Sequence, residues 1–284
     1  MHRLLGVLLA ALLAGASPSR EEWELVWSDE FDGKNIDREK WKYDTGGHGF
    51  GNNELQFYTD RAENSRLEDG ALVIQAQPEK FQNRSTTSAK LQSRAAWTYG
   101  RFEFRAKLPK GKGIWPAIWM MPSDLKKYGG WPACGEIDIV EQLGHEPNRV
   151  YGTLHFGNPH ESKGASVALR QGSLVDDWHE YALEWLPGEM RWFVDGELYQ
   201  VRNDWFTSAA GAAWPAPFDR EFYLQLNLAV GGNWPGAPDA TTVWPQKLRI
   251  DYVRVFKSKT APALRPKGSL KTEVSPLKSW DLLK

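Results

Sequence analysis

Arg101-Phe102-Glu103-Phe104-Arg105-Ala106 alternates charged and apolar side chains without a slip, and this two-residue period limits the possible folds more than any other feature of the sequence. In an extended strand successive side chains point to opposite faces, so such a run has one face for a core and one for water. Runs of the same kind, short and bounded by Gly, Asn, Asp and Pro, lie at 23–27, 65–68, 71–77, 89–93, 114–120, 135–141, 150–156, 179–185, 189–194, 197–201, 222–229 and 247–256. Residues 189–194 lead straight into Asp195-Gly196, a two-residue hairpin signal. Helical periodicity is weak outside the N-terminal segment, and no strand-helix-strand rhythm appears. The expectation is an all-β domain over 23–257, without internal repeat: two antiparallel sheets packed as a β-jelly roll sandwich.

The two ends read differently from this body. His2 and Arg3 precede the apolar run from Leu4 to Leu13, and Ala14-Gly15-Ala16 supplies small residues for cleavage. Residues 1–16 are therefore expected to be a signal peptide, with a secreted or periplasmic product that leaves the membrane after cleavage. A short membrane anchor is the alternative, although the run is much shorter than the roughly 20 residues that a spanning helix needs. The single cysteine, Cys134, cannot form an internal disulfide and reads as a packed thiol. Residues 257–284 carry seven Lys or Arg against two acids, whereas the body is acidic. That balance argues against a nucleic-acid partner. The tail, 258–284, reads as a linker or loose extension that can be deleted without loss of turnover, or else as a sorting segment. A monomer is expected.

Within the body, Gly135-Glu136-Ile137-Asp138-Ile139-Val140-Glu141 places three carboxylates in one strand. Glu136 and Asp138 share a face, and a β-bulge near Val140 would return Glu141 to it. Two carboxyls on one face can divide the roles of acid and nucleophile if their surroundings separate their pKa values. Glycoside hydrolysis with retention requires them about 5–5.5 Å apart, and inversion about 6.5–9.5 Å. A cation site and a merely solvated row remain the alternatives.

Fifteen tryptophans in 284 residues form a second signal. Trp23, Trp41, Trp185 and Trp192 are expected in the core. Others, such as Trp115, Trp131, Trp214 and Trp234, sit beside Gly or Pro in turn-like settings, and Trp119 follows Trp115 in the same segment. An indole can stack on the apolar face of a sugar ring, whose hydroxyls need short polar groups. Asn53, Glu54, Arg94, His155 and Asn233 are candidates for those groups. The combination suits a neutral polysaccharide.

The ordered set of motifs resembles glycoside hydrolase family 16, in its branch of bacterial laminarinases. It comprises Trp27-Ser28-Asp29-Glu30-Phe31, Gly51-Asn52-Asn53-Glu54-Leu55-Gln56, Gly113-Ile114-Trp115-Pro116-Ala117-Ile118-Trp119-Met120, Glu136 to Glu141, Gly152-Thr153-Leu154-His155, Gly231-Gly232-Asn233-Trp234 and Asp251-Tyr252-Val253-Arg254-Val255. The resemblance implies a jelly roll with a cleft across its concave sheet and retaining endo-hydrolysis of 1,3-β-glucan without a catalytic cofactor. Glu136 would be the nucleophile, Glu141 the acid and then base, and Asp138 the residue that tunes the nucleophile. Asn53, Glu54, Arg94, Trp115, Trp119, Trp131, His155 and Trp234 would surround the substrate. A structural Ca²⁺ would be held by Glu30, the Gly70 carbonyl and Asp251, although the two carboxylates could equally pair with Arg249 or Arg254. A licheninase acting on mixed-linkage 1,3-1,4-β-glucan and a non-catalytic β-glucan-binding protein are the rival readings.

Overall fold

The computed structural model describes residues 22–175, 177–269 and 277–283, so the expected signal peptide lies outside the described residues. The strands run in chain order as β1 (Trp23–Asp29), β2 (Trp41–Tyr43), β3 (Phe57–Tyr58), β4 (Ser65–Glu68), β5 (Ala71–Phe81), β6 (Arg84–Ser88), β7 (Lys90–Trp97), β8 (Gly100–Lys107) and β9 (Ile114–Pro122). They continue as β10 (Glu136–Glu141), β11 (Arg149–Phe156), β12 (Glu161–Leu169), β13 (His179–Leu186), β14 (Glu189–Val194), β15 (Glu197–Arg202), β16 (Phe222–Val230), β17 (Gln246–Ser258) and β18 (Trp280–Leu283). One sheet has ten strands, ordered β15-β14-β13-β8-β17-β5-β6-β3 with β1 on β17 and β4 on β5. The other has eight, ordered β18-β12-β11-β10-β9-β16-β7-β2. The fold is the expected all-β jelly roll sandwich, antiparallel throughout the described pairings except for β3 on β6. Alternation did not mark β2, β3, β6, β12 or β18.

The two-residue period explains the layers. β8 buries Phe102, Phe104 and Ala106, while Arg101 and Glu103 pair with each other on the outer face. From the opposing sheet Ile118, Met120, Ile137, Leu154, Leu224 and Leu226 fill the same core. Each such side chain contributes about 1.5–3 kcal/mol on full burial. Trp41, Trp185 and Trp192 are buried as expected, together with Trp205 and Trp280. Trp23 differs, being only half-buried on an edge strand. At the β14–β15 hairpin Asp195 has φ 47° and Gly196 φ 74°, the two left-handed positions that an Asp-Gly turn supplies.

The C-terminal segment is not a loose extension where it is described. β18 pairs with β12 and extends the eight-stranded sheet. Trp280 has no exposed surface, and its indole N–H donates to Asp195 Oδ2 at 3.1 Å. The backbone N–H groups of Lys278 and Ser279 donate to the Glu197 carboxylate. A strand that covers the edge of β12 and plants a tryptophan in the core is structural.

Candidate active site

The bulge lies where parity requires it. Against β9, Asp138 faces Trp119 while Val140 already faces Ile118, so one residue of β10 is extra. Against β11 the same slip lets Asp138 face Thr153 and Glu141 face Tyr151. Ile137, Ile139 and Val140 all enter the core, and Glu136, Asp138 and Glu141 form the row on the other face. Glu136 sits opposite His155 on β11.

Each carboxyl in the row has its own neighbour. Trp131 donates its indole N–H to Glu136 Oε2 at 3.0 Å, and Trp115 donates to Glu141 Oε1 at 3.0 Å. His155 Nε2 stands 3.1 Å from Asp138 Oδ2 and 4.0 Å from Glu136 Oε1. From behind the sheet, Trp192 donates to the Asp138 carbonyl at 3.0 Å and pins the strand at its bulge. Burial pushes all three carboxyls up, to about 8. The Asp138 charge raises Glu136 and Glu141 further, while His155 and the two indole donors oppose the rise. Burial of this kind lets Glu141 retain a proton at neutral pH, as a general acid requires.

The remaining predicted residues divide into those beside the row and those elsewhere. Trp115, Trp131 and His155 touch it. Trp234 packs edge-on against Trp115 and Tyr151, with ring centroids 5.7 Å and 4.9 Å apart. Trp119 donates to Asn227 Oδ1 at 2.6 Å. Asn53 donates to Asn233 Oδ1 at 2.8 Å and so joins the 51–56 loop to the 231–234 loop. Glu54 does not face outward: it is 6% exposed and accepts from Gln56 and Tyr58. Tyr58 in turn accepts from Asn227, so Glu54 anchors Trp119 from beneath through Tyr58 and Asn227. Arg94 is exposed. Between Gln92 and Ala96, β7 carries two residues more than β16 does between Gln225 and Tyr223, an even insertion that keeps the face parity. Arg94 lies in that bulge and donates to the Arg38 carbonyl at 2.7 Å.

Two residues were missed. Lys90, on β7, is 7% exposed, lies 3.0 Å from the Asp44 carboxylate and sits 5.0 Å from the Trp119 ring centre. The signal was present in Lys90-Leu91-Gln92, where alternation puts Lys90 and Gln92 on one face. His160 follows the turn after β11, and its Nε2 lies 2.9 Å from His155 Nδ1. Here the Gly157-Asn158-Pro159 turn marks a hairpin that would have returned His160 to the side of His155.

The residues expected to hold Ca²⁺ do not form a cage as arranged. Arg254 donates twice to Glu30, at 3.0 and 2.7 Å, and Arg105 donates to Asp251 at 2.7 Å. Those guanidiniums occupy the charge that a cation would need. Among the described residues, the group able to hold a metal ion is Glu136, Asp138 and His155, whose ligand atoms lie within 4.8 Å of one another. Cys134, next to the row, is buried, and burial pushes its thiol up to about 11. It is inert packing.

The family model for glycosyl hydrolases family 16 matches residues 28–254, a span that includes the whole acidic row and both flanking loops. The chain belongs to glycosyl hydrolase family 16. A β-glucanase of Rhodothermus marinus is 47% identical to this family-16 chain over 89% of its length and 93% of the relative's. A glucan endo-1,3-β-glucosidase of Cryptopygus antarcticus is 41% identical, over 86% and 95%. Among solved structures, the catalytic domain of an endo-1,3-β-glucanase (laminarinase) from Thermotoga petrophila aligns with a TM-score of 0.77 at 43% identity, covering 85% of this chain and all of that one. Membership in family 16 and these alignments agree with the laminarinase branch that the motifs suggested.

Proposed function

We propose that the protein hydrolyses internal 1,3-β-D-glucosidic linkages in laminarin-type β-glucans with retention of configuration. The observation that carries this reading is the pairing of Glu136 and Glu141 on one face, each with its own indole donor, with Asp138 and His155 between them. The similarity to glucan endo-1,3-β-glucosidases supports the choice of linkage.

Glu136 is the nucleophile. Its carboxylate oxygen bonds to the anomeric carbon as the bond to the leaving oxygen breaks, and Glu141 gives its proton to that oxygen. Water then adds to the anomeric carbon of the glycosyl ester, its proton passes to Glu141, and Glu136 leaves as a carboxylate. Burial keeps the proton on Glu141 until it is needed. Trp131 N–H and His155 stabilise the charge on Glu136. Asp138, fully desolvated, keeps a proton that it can direct at Glu136 and so moderates the charge of the nucleophile. Trp131 and Trp234, 53% and 41% exposed, offer ring faces for glucosyl units on the two sides of the row. Ca²⁺ enters none of these steps. The proposal carries with it export of the chain to a secreted or periplasmic location, supported by the apolar segment at 4–13, and a monomeric working unit.

Product analysis tests this reading, with laminarin, lichenan, agarose and a 1,4-β-glucan run beside a Glu136→Gln variant. Short 1,3-linked oligosaccharides from laminarin, absent with the variant, are expected. Cleavage of lichenan alone would replace the substrate, and binding to laminarin without cleavage would remove the enzyme assignment.

A further inference from the structure

Both oxygens of Glu136 have a ring beside them, and one residue braces both rings. Trp131 donates to Oε2, and His155 Nε2 stands 4.0 Å from Oε1. His160 packs on Trp131 with ring centroids 5.0 Å apart and on His155 with centroids 5.1 Å apart at 19° between planes. The 2.9 Å approach of His160 Nε2 to His155 Nδ1 adds a directed bond to that packing. Each imidazole nitrogen donates or accepts according to its tautomer, so His160 can satisfy His155 Nδ1 in either hydrogen arrangement.

Resting on the assignment of Glu136 as nucleophile, we infer that His160 is a positioning residue for the glycosylation step: its bond to His155 Nδ1 keeps His155 Nε2 aimed at Asp138 and Glu136. The hairpin makes this possible. β11 and β12 pair Phe156 with Glu161 and His155 with Ser162, so residues 157–160 form the turn. His160 closes that turn just before β12, and its ring contact with His155 shows that it lies on the side of the sheet that carries His155. His160 touches no atom that reacts. It acts through His155, whose ring would otherwise be free to turn about its side-chain bonds and take Nε2 away from the two carboxyls.

The test uses the full chain with His160→Ala, His160→Gln and His160→Phe, beside Glu136→Gln. His160 is exposed at the rim, so the variants should fold, which thermal melts check. His160→Ala should lower kcat on laminarin about tenfold with KM within about twofold, as expected for lost orientation of reacting groups. His160→Gln, which keeps both a donor and an acceptor, should recover most of the loss, and His160→Phe, which keeps only the ring, should not. On an aryl β-glucoside oligomer with an activated leaving group, protonation by Glu141 is not needed, so the defect should persist. Recovery by Phe rather than Gln, a rise in KM alone, unchanged kinetics in His160→Ala, or a defect that disappears on the activated substrate would each overturn the inference. Turnover by Glu136→Gln would instead remove the nucleophile assignment, whatever the His160 variants do.

Discussion

Asp138→Asn should make the protein more stable and less active, and the gain in stability should depend on pH. The Asp138 carboxyl has its pKa raised from 3.8 to about 8 by burial. Below pH 3.8 it is protonated whether the chain is folded or not, and it carries no penalty. Between pH 3.8 and about 8 the unfolded chain releases the proton and the folded chain keeps it, so stability falls as pH rises, by about 1.4 kcal/mol per pH unit. At pH 7 the deficit reaches about 4 kcal/mol, and above pH 8 it stops growing. Asparagine has the same shape and no charge to desolvate, and above about pH 8, where Asp138 ionises, it also removes the negative neighbour that raises Glu136 and Glu141. Its uncharged amide still pays a desolvation cost, so a net gain of about 2–4 kcal/mol is expected at pH 8, or roughly 4–8 °C in Tm for a chain of this size. At pH 4 the two proteins should melt within about 1 °C of each other. Melting curves from pH 4 to 9 measure this, and kcat on laminarin should fall in the same variant. A gain that is equal at pH 4 and pH 8, or a loss of stability at pH 8, would refute the reasoning.

Trp115→Phe removes the N–H that stabilises ionised Glu141, so the Glu141 pKa should rise further and the alkaline limb of kcat/KM should move to higher pH; a downward move would contradict the role of that bond. Trp280→Ala should cost about 3–5 kcal/mol, because it empties a fully buried site and leaves Asp195 without its indole donor, and urea melts would show it as a lowered midpoint. Addition of millimolar Ca²⁺ after EDTA treatment should leave Tm within about 1 °C, since a ligand stabilises only in proportion to its affinity for the folded state. A clear upward shift would mean that Glu30 and Asp251 give up Arg254 and Arg105 for the cation.

The strands with clean alternation were legible because the period of two is a direct record of one buried face. The catalytic row was legible for a further reason: Glu141 has the wrong parity, and only a bulge reconciles three carboxylates with one face. Other contacts rest on features with no local signature. Arg94 has the parity of Lys90 and Gln92, and its side chain is tied to the Arg38 carbonyl, a partner that lies 56 residues earlier in the chain. Glu54 sits in a loop motif beside Asn53, and only the long-range chain through Tyr58 and Asn227 shows that it works from beneath. β18 is read from charge as a tail because Lys278, Asp281 and its neighbours look solvated, while its worth lies in a partner strand more than a hundred residues earlier.

The high tryptophan content follows from the needs of this row as much as from the core. Glu136 and Glu141 each need a hydrogen-bond donor to fix their orientation. A guanidinium or ammonium in that place would lower a carboxyl pKa by about 1–3 units and strip Glu141 of its proton at working pH. Arg61 has that effect on Glu79, which it holds at about 2. An indole N–H gives direction without a charge and cannot itself take or release a proton in this range. Trp131 and Trp115 therefore orient the pair while burial still holds it near 8. Their ring faces remain available to sugars, so the same side chains can set the protonation of the row and shape the ground on which a glucan lies.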